Sequence, residues 1–269
     1  MNLYSKLLEY NELKIPVMMV TVVSKSGEGP VDVGKKMLVA KNGDAFGTVG
    51  GGALEYEARE YCKELLHQGK STMIKYILKE GKVVNDATTL PMICGGVVEL
   101  FFEYIGAKGY VVIFGGGHCG KALVKVLKTM DYHVTIIDDR IDVYNQIEGA
   151  DRKVNMNYAD FIDAEGIEDN SYVIISTPSH KYDFNVIHKV FELKLKPKYM
   201  GMLCSREKLK DFMAKTYEEF GEDIDLSNFY SPIGLNTGGG SPEEIAISIA
   251  AEMLVVEYNK PGHNHLRNV

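Results

Sequence analysis

Cysteine is sparse in this chain of 269 residues: there are four, Cys62, Cys94, Cys119 and Cys204, and none stands in a Cys-x-x-Cys spacing. That pattern suggests neither a zinc cage nor a disulfide framework, and a reducing, cytoplasmic compartment fits it best. Basic charge is short as well. With 30 Lys and Arg against 37 Asp and Glu, the net charge is −7, which leaves no electrostatic footprint for nucleic acid or an anionic membrane surface. No apolar run approaches the length of a bilayer span. Glu9 and Glu12 interrupt the opening MNLYSKLLEYNELK, so it does not read as a signal-peptide core. What remains, 45% hydrophobic and 25% charged, is the composition of an ordinary globular protein with room for about two domains.

The richest stretch runs from Tyr110 to Arg140, YVVIFGGGHCGKALVKVLKTMDYHVTIIDDR. Tyr110 to Phe114 is apolar without alternation, as a parallel strand covered on both faces would be. Gly115, Gly117 and Gly120 then supply Gly-x-Gly-x-x-Gly at the start of a helix, the arrangement that lets a backbone turn tightly and approach a pyrophosphate. His133 to Ile137 reads as a second strand, and Asp138 follows where a carboxylate can bind a ribose 2′-hydroxyl and disfavour a 2′-phosphate. The order strand, glycine turn, helix, strand and acid predicts a Rossmann-type unit with NAD or another adenine nucleotide as a candidate ligand.

The glycine-flanked GAKG at Gly106 to Gly109 separates two differently patterned halves, predicting domains at residues 1–106 and 107–269. In the first, Val17 to Val23, Lys36 to Ala40, Thr72 to Leu78 and Val97 to Tyr104 read as strands, and Ala53 to His67 as a helix whose apolar face includes Cys62. The second adds strands at Tyr172 to Ser176 and Tyr199 to Leu203, with helices from Asp183, from Arg206 and after Ser241. Ser241-Pro242-Glu243-Glu244 carries a capping box. The alternation predicts a doubly wound parallel sheet behind an N-terminal α/β accessory domain.

Three glycine clusters precede helices: Gly50-Gly51-Gly52, Gly115-Gly116-Gly117 and Gly238-Gly239-Gly240. Free backbone N–H groups and the helix dipole make each a candidate cradle for a phosphate. Glu55, just past the first cluster, is placed to orient a ligand amide or ammonium, and His118, just past the second, to touch a phosphate. His180 follows the carboxyl end of a strand, the edge at which open α/β sheets bind ligands, with Asp183 either beside it or capping the next helix. Arg206 is a candidate for bidentate phosphate binding or a surface ion pair. Cys94 precedes Gly95-Gly96 and a strand. Its sulfur there either meets a soft metal or sulfur donor at an exposed turn, or is a small buried hydrophobe.

Taken with their flanks, these clusters resemble the xanthine dehydrogenase accessory family, XdhC/CoxI. The resemblance rests on GTVGGGALEYEA at Gly47 to Ala58, PMICGGVVELFFE at Pro91 to Glu103, the stretch ending IIDDR, YMGMLCSREK at Tyr199 to Lys208, and SPIGLNTGGGSPEEIAISIAAEML at Ser231 to Leu254. It implies a protein that binds the molybdenum cofactor, molybdopterin, and helps insert it into an apo molybdenum hydroxylase of the xanthine dehydrogenase type, rather than an enzyme that turns over substrate. It also implies Cys94 as the contact to molybdenum or the acceptor of sulfur, a cysteine desulfurase as a further partner, and a homodimer. The chain departs from the pattern at Val31, where many members have arginine, and at Pro178 and Ser179, where they have a histidine and an acid. Cys119 and Cys204 stand where a small apolar residue and glycine are usual, so neither inherits a role. The competing readings are an NAD-dependent oxidoreductase using Asp138 and His180, and a redox sensor that binds NAD to change its contacts with another protein.

Overall fold

The structure, a computed structural model, describes residues 2–27, 31–78, 88–90 and 96–262. The chain forms two compact units, Met1–Ala107 and Lys108–Val269. The first contains α1 (Leu3–Glu12), β1 (Val17–Ser26), β2 (Lys36–Ala40), β3 (Ala45–Gly47), α2 (Gly52–Gln68), β4 (Thr72–Ile77), β5 (Thr88–Thr89) and β6 (Val97–Ile105). Its sheet has the order β3-β2-β1-β6-β4-β5, antiparallel throughout except for the short β4–β5 pair. The period-2 alternation of β1 divides its residues between two faces. Met18, Val20 and Val22 join Leu54, Ala58, Cys62 and Leu65 of α2 in the main core, while Val17 and Met19 meet Leu3, Leu7 and Tyr10 of α1 on the other side. Cys62 is the small buried hydrophobe its helical spacing indicates, and burial pushes its thiol up to about 12.

The second unit contains β7 (Tyr110–Phe114), α3 (His118–Lys128), β8 (His133–Ile137), α4 (Ile141–Asn145), β9 (Arg152–Val154), α5 (Tyr158–Glu165), β10 (Tyr172–Ile175), α6 (His180–Glu192), β11 (Tyr199–Met202), α7 (Arg206–Phe220), β12 (Phe229–Tyr230) and α8 (Pro242–Glu257). All pairings are parallel and the order is β12-β11-β10-β7-β8-β9. The chain winds outward from β7 to β9, returns to β10 on the other side of β7, and winds outward again. This is the doubly wound Rossmann arrangement, with its switch point between β7 and β10. Every central strand is buried on both faces. Ile113, Ile136 and Ile174 pack with Leu123 of α3 and Met253 of α8, while Phe114, Ile137, Ile175 and Met202 pack with Phe161, Val186 and Phe212 of α5, α6 and α7.

The helix expected from Asp183 begins earlier, at His180, because Ser179 has the extended backbone of an N-cap (φ −151°, ψ 150°). The elements α1, β3, β5, α4, β9, α5 and β12 are not evident in the sequence pattern. β9 and β12 have 3 and 2 residues, too few to show a period. Among the described residues, no helix is long and apolar enough to cross a membrane.

Candidate functional site

The three fingerprint glycines have three different surroundings. Gly115 sits at φ +111°, and a Cβ there would lie 2.2 Å from the backbone oxygen of Ser176, so glycine lets the end of β7 close onto the end of β10. A Cβ on Gly120 would lie 2.1 Å from the backbone oxygen of Gly115, so the third glycine seats α3 against the turn. Gly117 has nothing within 4 Å of its Cβ position. It is the N-cap of α3 and supplies no side-chain cap, so the first-turn N–H groups at His118, Cys119 and Gly120 are open to an anion.

Asp138 is in the expected position, but its carboxylate is occupied by the protein itself. It is fully buried. Oδ2 accepts from the Gly116 N–H at 2.7 Å and from Arg140 Nη2 at 2.7 Å, and Oδ1 accepts from the Arg140 N–H at 3.0 Å and from Nε at 2.9 Å. Burial alone would raise this carboxyl, but the Arg140 and Gly116 hydrogen bonds outweigh it and hold the group below the usual range. Asp138 in turn raises the Arg140 guanidinium. A carboxylate has about four acceptor positions, so a ribose hydroxyl could donate to Asp138 only by displacing one of these donors.

The outer glycine clusters are engaged in the same way. Glu55 Oε2 accepts from the N–H groups of Val49 (3.3 Å) and Gly51 (3.2 Å) and from the Thr48 hydroxyl, so the Gly50-Gly51-Gly52 loop already holds a carboxylate. At Gly238-Gly239-Gly240, Glu244 Oε2 accepts from the N–H groups of Gly240 (3.0 Å) and Ser241 (2.9 Å), and the Ser241 hydroxyl completes the capping box. A ligand phosphate at either loop would have to displace Glu55 or Glu244. Glu55 also lines a shallow cleft of about 460 Å³ with Tyr56, Arg59 and Lys63.

Beyond the switch point, Asp183 is almost wholly buried. Its Oδ1 accepts from the Thr177 hydroxyl at 2.6 Å and the Thr177 N–H at 3.3 Å, and its Oδ2 stands 3.5 Å from His180 Nδ1. Burial raises its pKa, against the Thr177 hydrogen bonds and the nearby His180. This pair borders a cleft of about 440 Å³ between α6 and α7 that also takes in Phe184, Cys204, Lys208 and Lys215. Arg206, the first residue of α7, is not among the residues lining it. His118 is exposed and borders a different groove, of about 320 Å³, with Lys121, Lys125, Pro242 and Glu243.

The Rossmann unit matches the sequence model of a family described as the XdhC Rossmann domain over residues 111–253, more than half of the chain. The chain belongs to the XdhC family. A second model, described as the XdhC and CoxI family, matches residues 12–77 of the first unit. The uncharacterized protein YqeB of Escherichia coli K12 is 26% identical over 266 residues, which is 97% of this XdhC chain and 47% of the relative. A Bacillus subtilis protein, a probable component of xanthine dehydrogenase, is 24% identical over 158 residues, which is 58% of this chain and 45% of the relative. The chain thus spans about half the length of these curated relatives. The crystal structure of a xanthine dehydrogenase from Bacillus halodurans matches 96% of both chains with a TM-score of 0.51 at 19% identity, which shows the shared fold.

In this XdhC chain the structure therefore joins Gly115, Gly117, Gly120 and Asp138 in one turn, and Thr177, His180 and Asp183 in another. The latter three are the residues that survive from the family pattern in that loop. Cys94 lies outside the described residues. Among the described residues, no group of three His, Cys, Asp or Glu side chains is arranged to hold a metal ion. Sequence reasoning missed Arg140, because the fingerprint directs attention to the acid and stops there. It set Cys204 aside and did not single out Lys208, and only the approach of α6 and α7 brings the two to one cleft.

Proposed function

We propose that this protein binds the molybdenum-pterin cofactor and assists its maturation and insertion into an apo-hydroxylase of the xanthine dehydrogenase type. The observation that carries this reading is the open turn at Gly117, an uncapped helix start at the switch point of a doubly wound sheet in an XdhC-family chain. In fitting a phosphate-bearing cofactor, the three glycine loops are unequal. The first-turn N–H groups of α3 suit a phosphate or pyrophosphate, whereas Glu55 and Glu244 already fill the Gly50–Gly52 and Gly238–Gly240 loops. When bound, the cofactor would supply the molybdenum centre on which the client hydroxylase depends. This chain would hold the phosphate at Gly117, with the Cys94 thiolate as the soft contact to the metal. A homodimer, the apo-hydroxylase and a cysteine desulfurase complete the proposed assembly.

A second reading, a nicotinamide-dependent oxidoreductase, draws on one observation: His180 is oriented by the buried Asp183 at the carboxyl end of β10, where a proton-transfer group would be placed. One set of measurements separates the two. Protein purified without air is analysed for released ligands by mass, then assayed for activation of an apo-hydroxylase and for nicotinamide absorbance change. Cofactor insertion predicts that Cys94→Ala lowers cofactor retention by roughly tenfold, because a ligand to the metal is lost while the phosphate contact stays, and that His180→Ala leaves retention unchanged. Sustained nicotinamide turnover abolished by His180→Ala would replace this reading with the second.

A further inference from the structure

Arg140 is a cation fixed beside the glycine turn. Its Nη2 and the Gly116 N–H donate to the same oxygen of Asp138, so the guanidinium cannot swing away without abandoning a fully buried carboxylate. A guanidinium has five N–H donors. Nε and one N–H of Nη2 are on Asp138, and three remain with no acceptor among the described residues. The side chain is 38% exposed, so those donors can reach a ligand. The place is the end of the second strand of a Rossmann unit, where the ribose 2′ position of a bound adenosine falls.

An independent observation lies alongside. Tyr158, at the start of α5, is 1% exposed, and its hydroxyl has no hydrogen-bond partner among the described residues. That hydroxyl is within electrostatic reach of Asp138, Asp139 and Arg140. Buried hydroxyls are rarely left unpaired in a native protein, and of the two orphans among the described residues, Tyr132 and Tyr158, the one in the electrostatic neighbourhood of Arg140 has a donor left for a polar group or water that a ligand brings.

We propose that the nucleotide taken at this turn is a 2′-phosphorylated adenine nucleotide of the NADP type, with Arg140 reading the 2′-phosphate and Asp138 positioning Arg140. This rests on the sequence reading of Gly115–Gly120 as an adenine-nucleotide site, at which a nucleotide and the cofactor phosphate would compete for the same open N–H groups of α3. It also reverses the preference expected from Asp138 in the sequence. That acid is neutralised by its own neighbour and has no acceptor position left for a ribose hydroxyl, while a planar fork with free donors suits a phosphate.

Calorimetric titration of the full-length protein with NADP⁺, NAD⁺, 2′-phosphoadenosine 5′-phosphate and adenosine 5′-phosphate tests the proposal. Charged hydrogen bonds of this kind predict that each 2′-phosphorylated ligand binds roughly tenfold or more tightly than its plain counterpart. Arg140→Gln is expected to abolish that ratio while leaving NAD⁺ binding within about threefold. Because removing the arginine strands Asp138 and could unfold the turn, Tyr158→Phe serves as the second variant. It retains the ring packing, and it is expected to weaken NADP⁺ several-fold without affecting NAD⁺. Equal or tighter binding of NAD⁺ by the unmodified protein overturns the 2′-phosphate proposal and leaves the nucleotide site standing. Failure of all four ligands to bind overturns both.

Discussion

Gly117 and Gly120 lie three residues apart in one fingerprint, yet substitution should affect them in different ways. Alanine at 120 would drive a Cβ to 2.1 Å from the backbone oxygen of Gly115, and a backbone obstacle yields only if the turn moves. Gly120→Ala is therefore expected to destabilise the protein by about 3 kcal/mol or more in urea unfolding. Alanine at 117 meets open space, and φ −63° suits any residue. Gly117→Ala is expected to change stability by no more than about 1 kcal/mol, while its methyl stands where the ligand phosphate would approach and lowers affinity by roughly tenfold or more. A large loss of stability in Gly117→Ala, or intact binding with intact stability, would remove Gly117 from the site. The residue scale is also where the sequence was hardest to read. The fingerprint marks glycines and an acid, but whether Asp138 faces a ligand or Arg140 depends on side-chain direction at the end of β8. The carboxylates that fill the other two loops belong to residues that also read plainly as first-turn acids complementing a helix dipole.

At the scale of elements, the starts of α3 and α8 are opposites. α3 is uncapped, whereas α8 is closed by Ser241 and Glu244. The Ser241 and Gly240 N–H groups hold the Glu244 carboxyl below its ordinary value. A carboxyl lowered in the folded state adds stability above its unfolded pKa, and that stability is lost as pH falls through the folded pKa. Melting curves between pH 7 and pH 3 are thus expected to show Glu244→Gln with a smaller acid loss than the unmodified protein, since the amide does not titrate. Ser241→Ala is expected to cost about 1 kcal/mol at neutral pH. An acid loss identical in both proteins would show that the charge of Glu244 contributes nothing to the start of α8. The capping box, the long strands β1 and β6 and the β7-α3-β8 run are legible because each combines a hydrophobic period with a local signal at its end. The edge strand β9 and the short α5 have little of either, and tertiary contact decides them.

At the scale of the whole molecule, each unit has its own core, and in the second unit the sheet is sandwiched between two apolar layers. Residues 108–269 alone are expected to fold and melt cooperatively, and to keep whatever nucleotide affinity the full chain has, because Gly117, Asp138, Arg140 and Tyr158 all lie within them. Circular dichroism and calorimetry on that fragment provide the check, and a fragment that binds dye as a molten state would contradict it. The chain passes from one unit to the other once, between Ala107 and Lys108. In the history of a gene, a single crossing means that one cut and one join suffice to lend out, duplicate or discard either half. The two family descriptions that match the chain separately, one on each side of that crossing, are what such trade in modules would leave behind.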